Sequence, residues 1–443
     1  NAGDDGISVN LLGGGDVNVT TNALVTAGDD GIQVRSIALS TGNVTVTNEA
    51  AVNAGDNGIF ILKGGDGDVT VNANANISAA TGNGIEANAL GGTGNVTVAL
   101  KDATTITADD IGIIASKSFG TGDVKVTIGE GSTIDANLGG IVALKAFGDS
   151  ASGTAVLVET GKNSSITATN GIGITAGQGF GDGNLVVTTG EGSTINAGLG
   201  GIVALKLFGD SATVGGDAVT VTTGKNSSIL TSGVGITAGQ SFGDGNVVVT
   251  TGEGSTIGSL ATPTFAGIIA GKAFGDGNLT TTTGLNSIIF AGTNGITSAH
   301  LFGTGDNTVT TGENSAILAG NDGIYATSLF TTGATNVTTG TNSLVSALDD
   351  GIVANKFGGS GDVSVTVGST GSVEAGDDGI RVSNRSFGAG DIYVNVLGGT
   401  SVKATQVIAG DDAIHAHGWV NVNVTTGSYA LIIGDADENG VVN

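Results

Sequence analysis

The sequence predicts an all-β fold, a right-handed parallel β-helix (β-solenoid) of about fifteen rungs with three short strands each. Three observations predict it. First, the chain keeps restarting: Ala2-Gly3-Asp4-Asp5-Gly6-Ile7 returns as Ala27-Gly28-Asp29-Asp30-Gly31-Ile32, as Ala54-Gly55-Asp56-Asn57-Gly58-Ile59 and as Ala375-Gly376-Asp377-Asp378-Gly379-Ile380. The restarts are about 26 to 34 residues apart, a period that signals a solenoid or array. Second, each repeat holds three β-like runs. Between Ala168 and Asn196 they are Ile172 to Thr175, Leu185 to Thr188 and a run centred on Ile195. None is long enough for a free-standing sheet, so each must pair with its copy in the next repeat. Third, Gly, Asn and Asp separate the runs and supply the positive-φ corners that sharp turns require.

Stacked rungs about 4.8 Å apart give an expected rod on the order of 70 Å long. The absence of a strict hexapeptide period favours the right hand. In the second run, Val17/Val19, Val44/Val46, Val69/Val71, Val96/Val98, Val124/Val126 and Val363/Val365 should point inward, and Thr45/Thr47, Thr97, Thr127 and Ser364/Thr366 outward. A column of phenylalanines (Phe119, Phe147, Phe180, Phe208, Phe242, Phe274, Phe302, Phe330, Phe357 and Phe387) closes the first run of successive rungs and is expected to form an internal packing ladder. Residues 149–154 and 210–217 lengthen the corner after this column within near-copied surroundings, and the single proline, Pro263, lies in a third enlarged corner. Such loops serve either as functional segments or as duplicated spacers.

Composition narrows the functional classes. The 443 residues include 82 Gly and 1 Pro, without the every-third glycine of collagen. The apolar fraction of 39% falls at regular positions, which argues against disorder. A formal charge of -26 makes nucleic acid an improbable partner. Divalent cations, basic surfaces and glycans fit better. There is no Cys, hence no disulfide framework. No apolar run is long enough for a transmembrane helix, and no secretory h-region opens the chain. The first residue already sits inside a repeat, as expected of an excerpt from a longer protein.

The cycle Gly-Asn-Val-Thr-Val-Thr, Gly-Ser-Thr-Ile, Ala-Gly-Asp-Asp-Gly-Ile resembles the β-strand repeats of bacterial autotransporter passengers and related surface adhesins, over residues 1–433. That resemblance implies a secreted or cell-surface β-helical stalk, although no translocating barrel is present, and fold analogy alone does not set function. Residues 434–443 leave this idiom. Asp435, Asp437, Asn439 and Val441 resemble the opening of a dockerin-type, EF-hand-like Ca²⁺ loop, truncated before its closing carboxylate.

Among candidate sites, the paired carboxylates Asp4/Asp5, Asp29/Asp30, Asp109/Asp110, Asp349/Asp350, Asp377/Asp378 and Asp411/Asp412 recur at one corner, mainly in the first and last rungs. A catalytic carboxylate pair should be singular, so turn formation by Asp beside Gly is the simpler account. Stacked carboxylates repel by about 1 kcal/mol per pair even in water. Asp4, Asp5, Asp29, Asp30, Asp377 and Asp378 are therefore candidates for a weak ladder of bound Ca²⁺. Thr20, Thr47, Thr127, Thr188, Thr222, Thr250, Thr282, Thr310, Thr338 and Thr366 form an expected exposed ladder, interrupted on that face by Lys125, Glu159 and Val186. Threonine is a good exposed strand residue, and a flat array of it also resembles an ice-binding face. His415 and His417 are too few for a metal site, and Gly64-Gly65-Asp66-Gly67-Asp68 lacks the nonapeptide period of Ca²⁺-binding β-rolls.

The functional expectation is a non-enzymatic, secreted or cell-surface fibre subunit or adhesin stalk, self-associating head-to-tail or contacting other surface components or glycans. A polysaccharide-processing β-helix enzyme and an ice-binding protein are the alternatives.

Overall fold

The computed structural model describes residues 2–37, 40–386 and 390–434. The described residues form no helix; 45 strands build three parallel sheets wound as a β-solenoid of about fifteen turns, as expected. The chain divides into two compact units, Asn1–Val221 and Thr222–Asn443.

In the first unit one turn is typified by strands Ile59–Lys63, Val69–Ala73 and Ile77–Ala79, which belong to the first, second and third sheets. Each strand pairs in parallel with its counterpart one turn away, in register: Ile59 faces Ile32 and Ile85, and Val69 faces Val44 and Val96. The second unit repeats the plan, with Ile268 facing Ile236 and Ile296, and Ile289 facing Ile257 and Ile317. The first-sheet run is longer than the expected Ile172 to Thr175: Ile172–Phe180 spans nine residues, as does Gly200–Phe208.

The core consists of columns of Ile, Val and Ala from the three sheets. The inward valines of the second sheet are buried as expected, from Val17 and Val19 through Val124 and Val126 in the first unit, and at Val363 and Val365 in the second. Their Thr neighbours face solvent at least in part. Alternation is enforced because a one-residue slip would bring every Thr inside.

The corners are built from a few devices. Between the second and third sheets one residue adopts the left-handed conformation in turn after turn: Gly131 (φ 64°), Asn163 (φ 54°) and Gly192 (φ 68°) in the first unit, and Asn286 (φ 56°), Asn314 (φ 54°) and Asn342 (φ 57°) in the second. Gly and Asn are the residues that reach this region at least cost. At the corner after the first sheet, an Asp or Asn side chain accepts the backbone amide of the next turn: Asn43 N to Asp16 Oδ1 at 2.7 Å, Asp68 N to Asn43 Oδ1 at 2.9 Å, Asn95 N to Asp68 Oδ1 at 2.8 Å. In the restart motif, a Cβ on Gly58 would lie 2.2 Å from Ile77 Cγ2 and 2.5 Å from the Gly84 carbonyl oxygen, so close packing reserves this position for glycine.

One interior column was not foreseen. Lys63, Lys117, Lys145 and Lys206 in the first unit, and Lys272 and Lys356 in the second, are at most 1% exposed. All lie in the last four residues of first-sheet strands, near where the chain turns toward the second sheet. There the ammonium groups reach the carbonyls of the glycine-rich corner. Lys206 Nζ donates to Gln178 Oε1 (2.6 Å), Gly181 O (2.8 Å) and Gly183 O (3.0 Å). Lys356 Nζ donates to Thr331 O (3.0 Å), Thr331 Oγ1 (2.9 Å) and Gly333 O (2.7 Å). Like charges are mostly kept apart by neutral residues in the same register: Ala89 between Lys63 and Lys117, Gln178 between Lys145 and Lys206, His300 and Ser328 between Lys272 and Lys356. Lys117 and Lys145 are direct neighbours, and there Asp123 Oδ1 lies 3.9 Å from Lys145 Nζ. Burial pushes the ammonium pKa of Lys145, Lys206 and Lys356 down to about 8 and that of the His300 imidazole to about 4.

Two outcomes are expected. Thr281 is fully buried between Val249 and Val309, and its Oγ1 has no hydrogen-bond partner. Thr281→Val should raise stability by about 1 kcal/mol in chemical denaturation. The lysines carry a linkage of definite sign. Between pH 8 and 10.5 the unfolded chain holds more protons on Lys206 than the fold does. Its contribution to unfolding free energy therefore rises through that window. The stability difference between wild type and Lys206→Met should shift toward the wild type from pH 8 to pH 10.5, measured by denaturant midpoints; a pH-independent difference would refute the assignment.

Candidate functional site

The restart motif places its carboxylates at the corner between the third and first sheets. In a typical pair the first Asp faces solvent and the second is buried: Asp29 and Asp377 are exposed, whereas Asp30 is 5%, Asp350 3% and Asp378 5% exposed. The buried member reaches toward the following turn. Asp30 Oδ1 accepts Asn57 N (3.2 Å) and Nδ2 (2.9 Å), and its Oδ2 accepts Gln33 Nε2 (2.9 Å). Asp350 Oδ1 accepts Asp378 N (3.2 Å), and its Oδ2 binds Arg381 Nη1 at 2.7 Å. The recurring pair is thus a turn-to-turn staple, which agrees with the turn-forming account of these residues.

The structure brings the expected carboxylates together in both units. Asp4, Asp5 and Asp29 form one group and Asp29, Asp30 and Asp56 another in the first unit, with candidate ligand atoms within 4.8 Å of one another. In the second unit Asp349, Asp350 and Asp377, then Asp377, Asp378 and Asp411, then Asp378, Asp412 and His415 do the same. Asp109 and Asp110 join none of these groups, and Asp435, Asp437, Asn439 and Val441 lie outside the described residues. Crowding is visible in the carboxyl groups. Desolvation, with Asp30, Asp5 and Asp4 nearby, pushes Asp29 up, and desolvation with Asp350 close by does the same for Asp378.

The phenylalanine column corrects an expectation: it is not internal. Phe119, Phe147, Phe180 and Phe208 in the first unit are between 37% and 58% exposed. In the second unit Phe242, Phe274, Phe330 and Phe357 are likewise exposed, and Phe387 lies outside the described residues. The ring has inward parity, two residues after the lysine column, but the lysine fills the interior corner and the strand runs past the core. The rings instead cover one another's faces. Centroids lie 5.2, 5.0 and 4.6 Å apart from Phe119 to Phe208, and 4.8 and 4.9 Å apart from Phe242 to Phe302, with the ring planes nearly parallel, whereas Phe330 meets Phe357 edge-on at 86°. In the first unit this ladder borders an apolar groove lined by Leu144, Gly177 and Leu205, with the glycine leaving a gap between the two leucines.

The enlarged corner at residues 149–154 is tied down by one carboxylate. Asp123 accepts Ser150 Oγ (2.8 Å) and Ala151 N (3.1 Å) on Oδ1 and Ser152 N (3.0 Å) on Oδ2. The outward threonines form partly exposed second-sheet columns in each unit, among them Thr250, Thr282, Thr310 and Thr338. Sequence reasoning missed the lysine column. Its signal was present in Lys117-Ser-Phe119, Lys145-Ala-Phe147, Lys206-Leu-Phe208 and Lys272-Ala-Phe274, where Lys precedes the phenylalanine by two residues.

Comparison with family models, with curated proteins and with solved structures finds no match.

The acidic corners carry a testable consequence. Asp29 titrates higher in the fold than its ordinary value, so the fold holds more protons than the unfolded chain, and stability contributed here falls as pH rises through that pKa. Asp29→Asn should therefore raise the thermal midpoint at neutral pH and low salt. The gain should shrink below the carboxylate range and in high salt.

Proposed function

We propose that the chain acts as a structural β-solenoid, an extracellular or cell-surface fibre subunit or adhesin stalk that associates head-to-tail with further copies. The observation that carries this reading is the stacking itself: in each unit every turn pairs in register with the next, and Val422 and Val424 continue the columns of the buried Ile392 and Val394. A strand edge with unpaired amides and carbonyls is a template for another parallel turn.

Asp4-Asp5-Gly6-Ile7 and Asp411-Asp412-Ala413-Ile414 are two versions of one corner, so a second copy would extend the same register. Contact between unlike ends does not close on itself and generates filaments. The acidic corners would oppose such contact, and divalent cations would relieve the repulsion. The recurrence of the acidic groups at equivalent corners supports a structural rather than catalytic role.

The test is light scattering with negative-stain imaging at rising concentration, with and without millimolar Ca²⁺. Short filaments are expected, and Val422→Glu with Val424→Glu should leave single solenoids with unchanged circular dichroism. Monodisperse monomers of wild type under every condition would refute head-to-tail assembly. In the second unit, the ordered Thr250, Thr282 and Thr310 column keeps the ice-binding reading as the second one, and thermal hysteresis in the monomeric double variant decides it separately.

A further inference from the structure

We infer that Asp378, Asp412 and His415 form a binding site for a first-row transition metal ion of the Zn²⁺ type. The argument begins with the register. His415 faces Arg381 across the first sheet of the second unit. One turn earlier, Arg381 satisfies the buried Asp350 by a 2.7 Å ion pair. His415 stands in the same relation to the buried Asp378 but does not close on it. Nδ1 is 3.7 Å from Asp378 Oδ2 and 3.1 Å from Asp412 Oδ2.

The second observation concerns Asp378 itself. Its carboxylate is 5% exposed with the Asp412 backbone amide beside it, and its Oδ1 is a buried oxygen with no hydrogen-bond partner. The equivalent carboxylates are satisfied: Asp30 by Asn57 and Gln33, Asp350 by Asp378 N and Arg381. A buried carboxylate oxygen without a donor is costly, and a bound cation at this carboxylate removes the cost.

The donor set selects the ion. One imidazole nitrogen with two carboxylates is a borderline set suited to Zn²⁺ or Co²⁺, whereas Ca²⁺ takes oxygen ligands in larger number. At ligand distances of about 2.0–2.2 Å, two ligands on one tetrahedral ion lie about 3.3 Å apart. The observed 3.1 and 3.7 Å separations bracket that edge. The ion would tie the last two described restart corners together.

The experiment uses the full chain, stripped with chelator, and titrates Zn²⁺, Co²⁺ and Ca²⁺ separately by calorimetry, with visible absorption for Co²⁺. Half of the His415 side chain and half of the Asp412 side chain are exposed, so His415→Ala and Asp412→Asn should fold normally. Wild type should take up one Zn²⁺ or Co²⁺, with at least tenfold weaker binding in each variant and unchanged binding in His417→Ala. No uptake of Zn²⁺ or Co²⁺, or uptake untouched by His415→Ala and Asp412→Asn, would overturn the assignment and leave His415 as a plain ion-pair partner. Equal loss in His417→Ala would overturn it in favour of a surface histidine pair.

Discussion

Everything in this structure answers to one constraint: each side chain sits in register above and below the residue at the same place in the neighbouring turn. Parallel pairing at about 4.8 Å repeats turns every position into a column. A residue type is therefore selected for tolerance of its own kind. Ile, Val and Ala stack well and make the core. Phenylalanines stack face to face and make an outer ladder. Asn and Asp at the corners succeed because each oxygen accepts the amide of the next turn, so the hydrogen bond propagates with the stack.

Charge is where the constraint bites, and the molecule resolves the two signs differently. Inside, the lysine column supplies donors to the corner carbonyls, and neutral residues dilute it so that ammonium groups seldom adjoin. Six of the 14 basic residues of the chain are used in this way. Outside, the paired Asp residues stack with little dilution. Amide hydrogen bonds, Gln33 and Arg381 satisfy some of them, while the carboxyl groups of Asp29, Asp56, Asp322, Asp350 and Asp378 are all pushed up, first by desolvation.

The parts of the fold legible in sequence were those where neighbouring residues settle the matter. Val69 and Val71 read as inward because Thr70 lies between them, and the left-handed corner at Asn163 could be read from its Gly and Asn equivalents. The acidic groups were legible as well, since Asp29 and Asp30 restate Asp4 and Asp5. The lysines were hidden because a lysine near the end of an alternating strand looks like a solvated tip. The phenylalanines misled for the converse reason: parity pointed inward, but Lys145 already occupied the corner that Phe147 would have filled. In sequence His415 has His417 for a neighbour, whereas the carboxylate it faces, Asp378, comes from the preceding turn.

The sequence by itself determined the period, the three strands per turn, the inward face of each strand and the chemistry of the corners, because these depend on local alternation and on backbone preference. Only the tertiary structure decided which side chains share a column, and hence which lysine carries which carbonyl, where the aromatic rings lie and which carboxylate lacks a donor. The physical reason is distance: partners about one turn apart along the chain meet at hydrogen-bond range only after winding fixes the register.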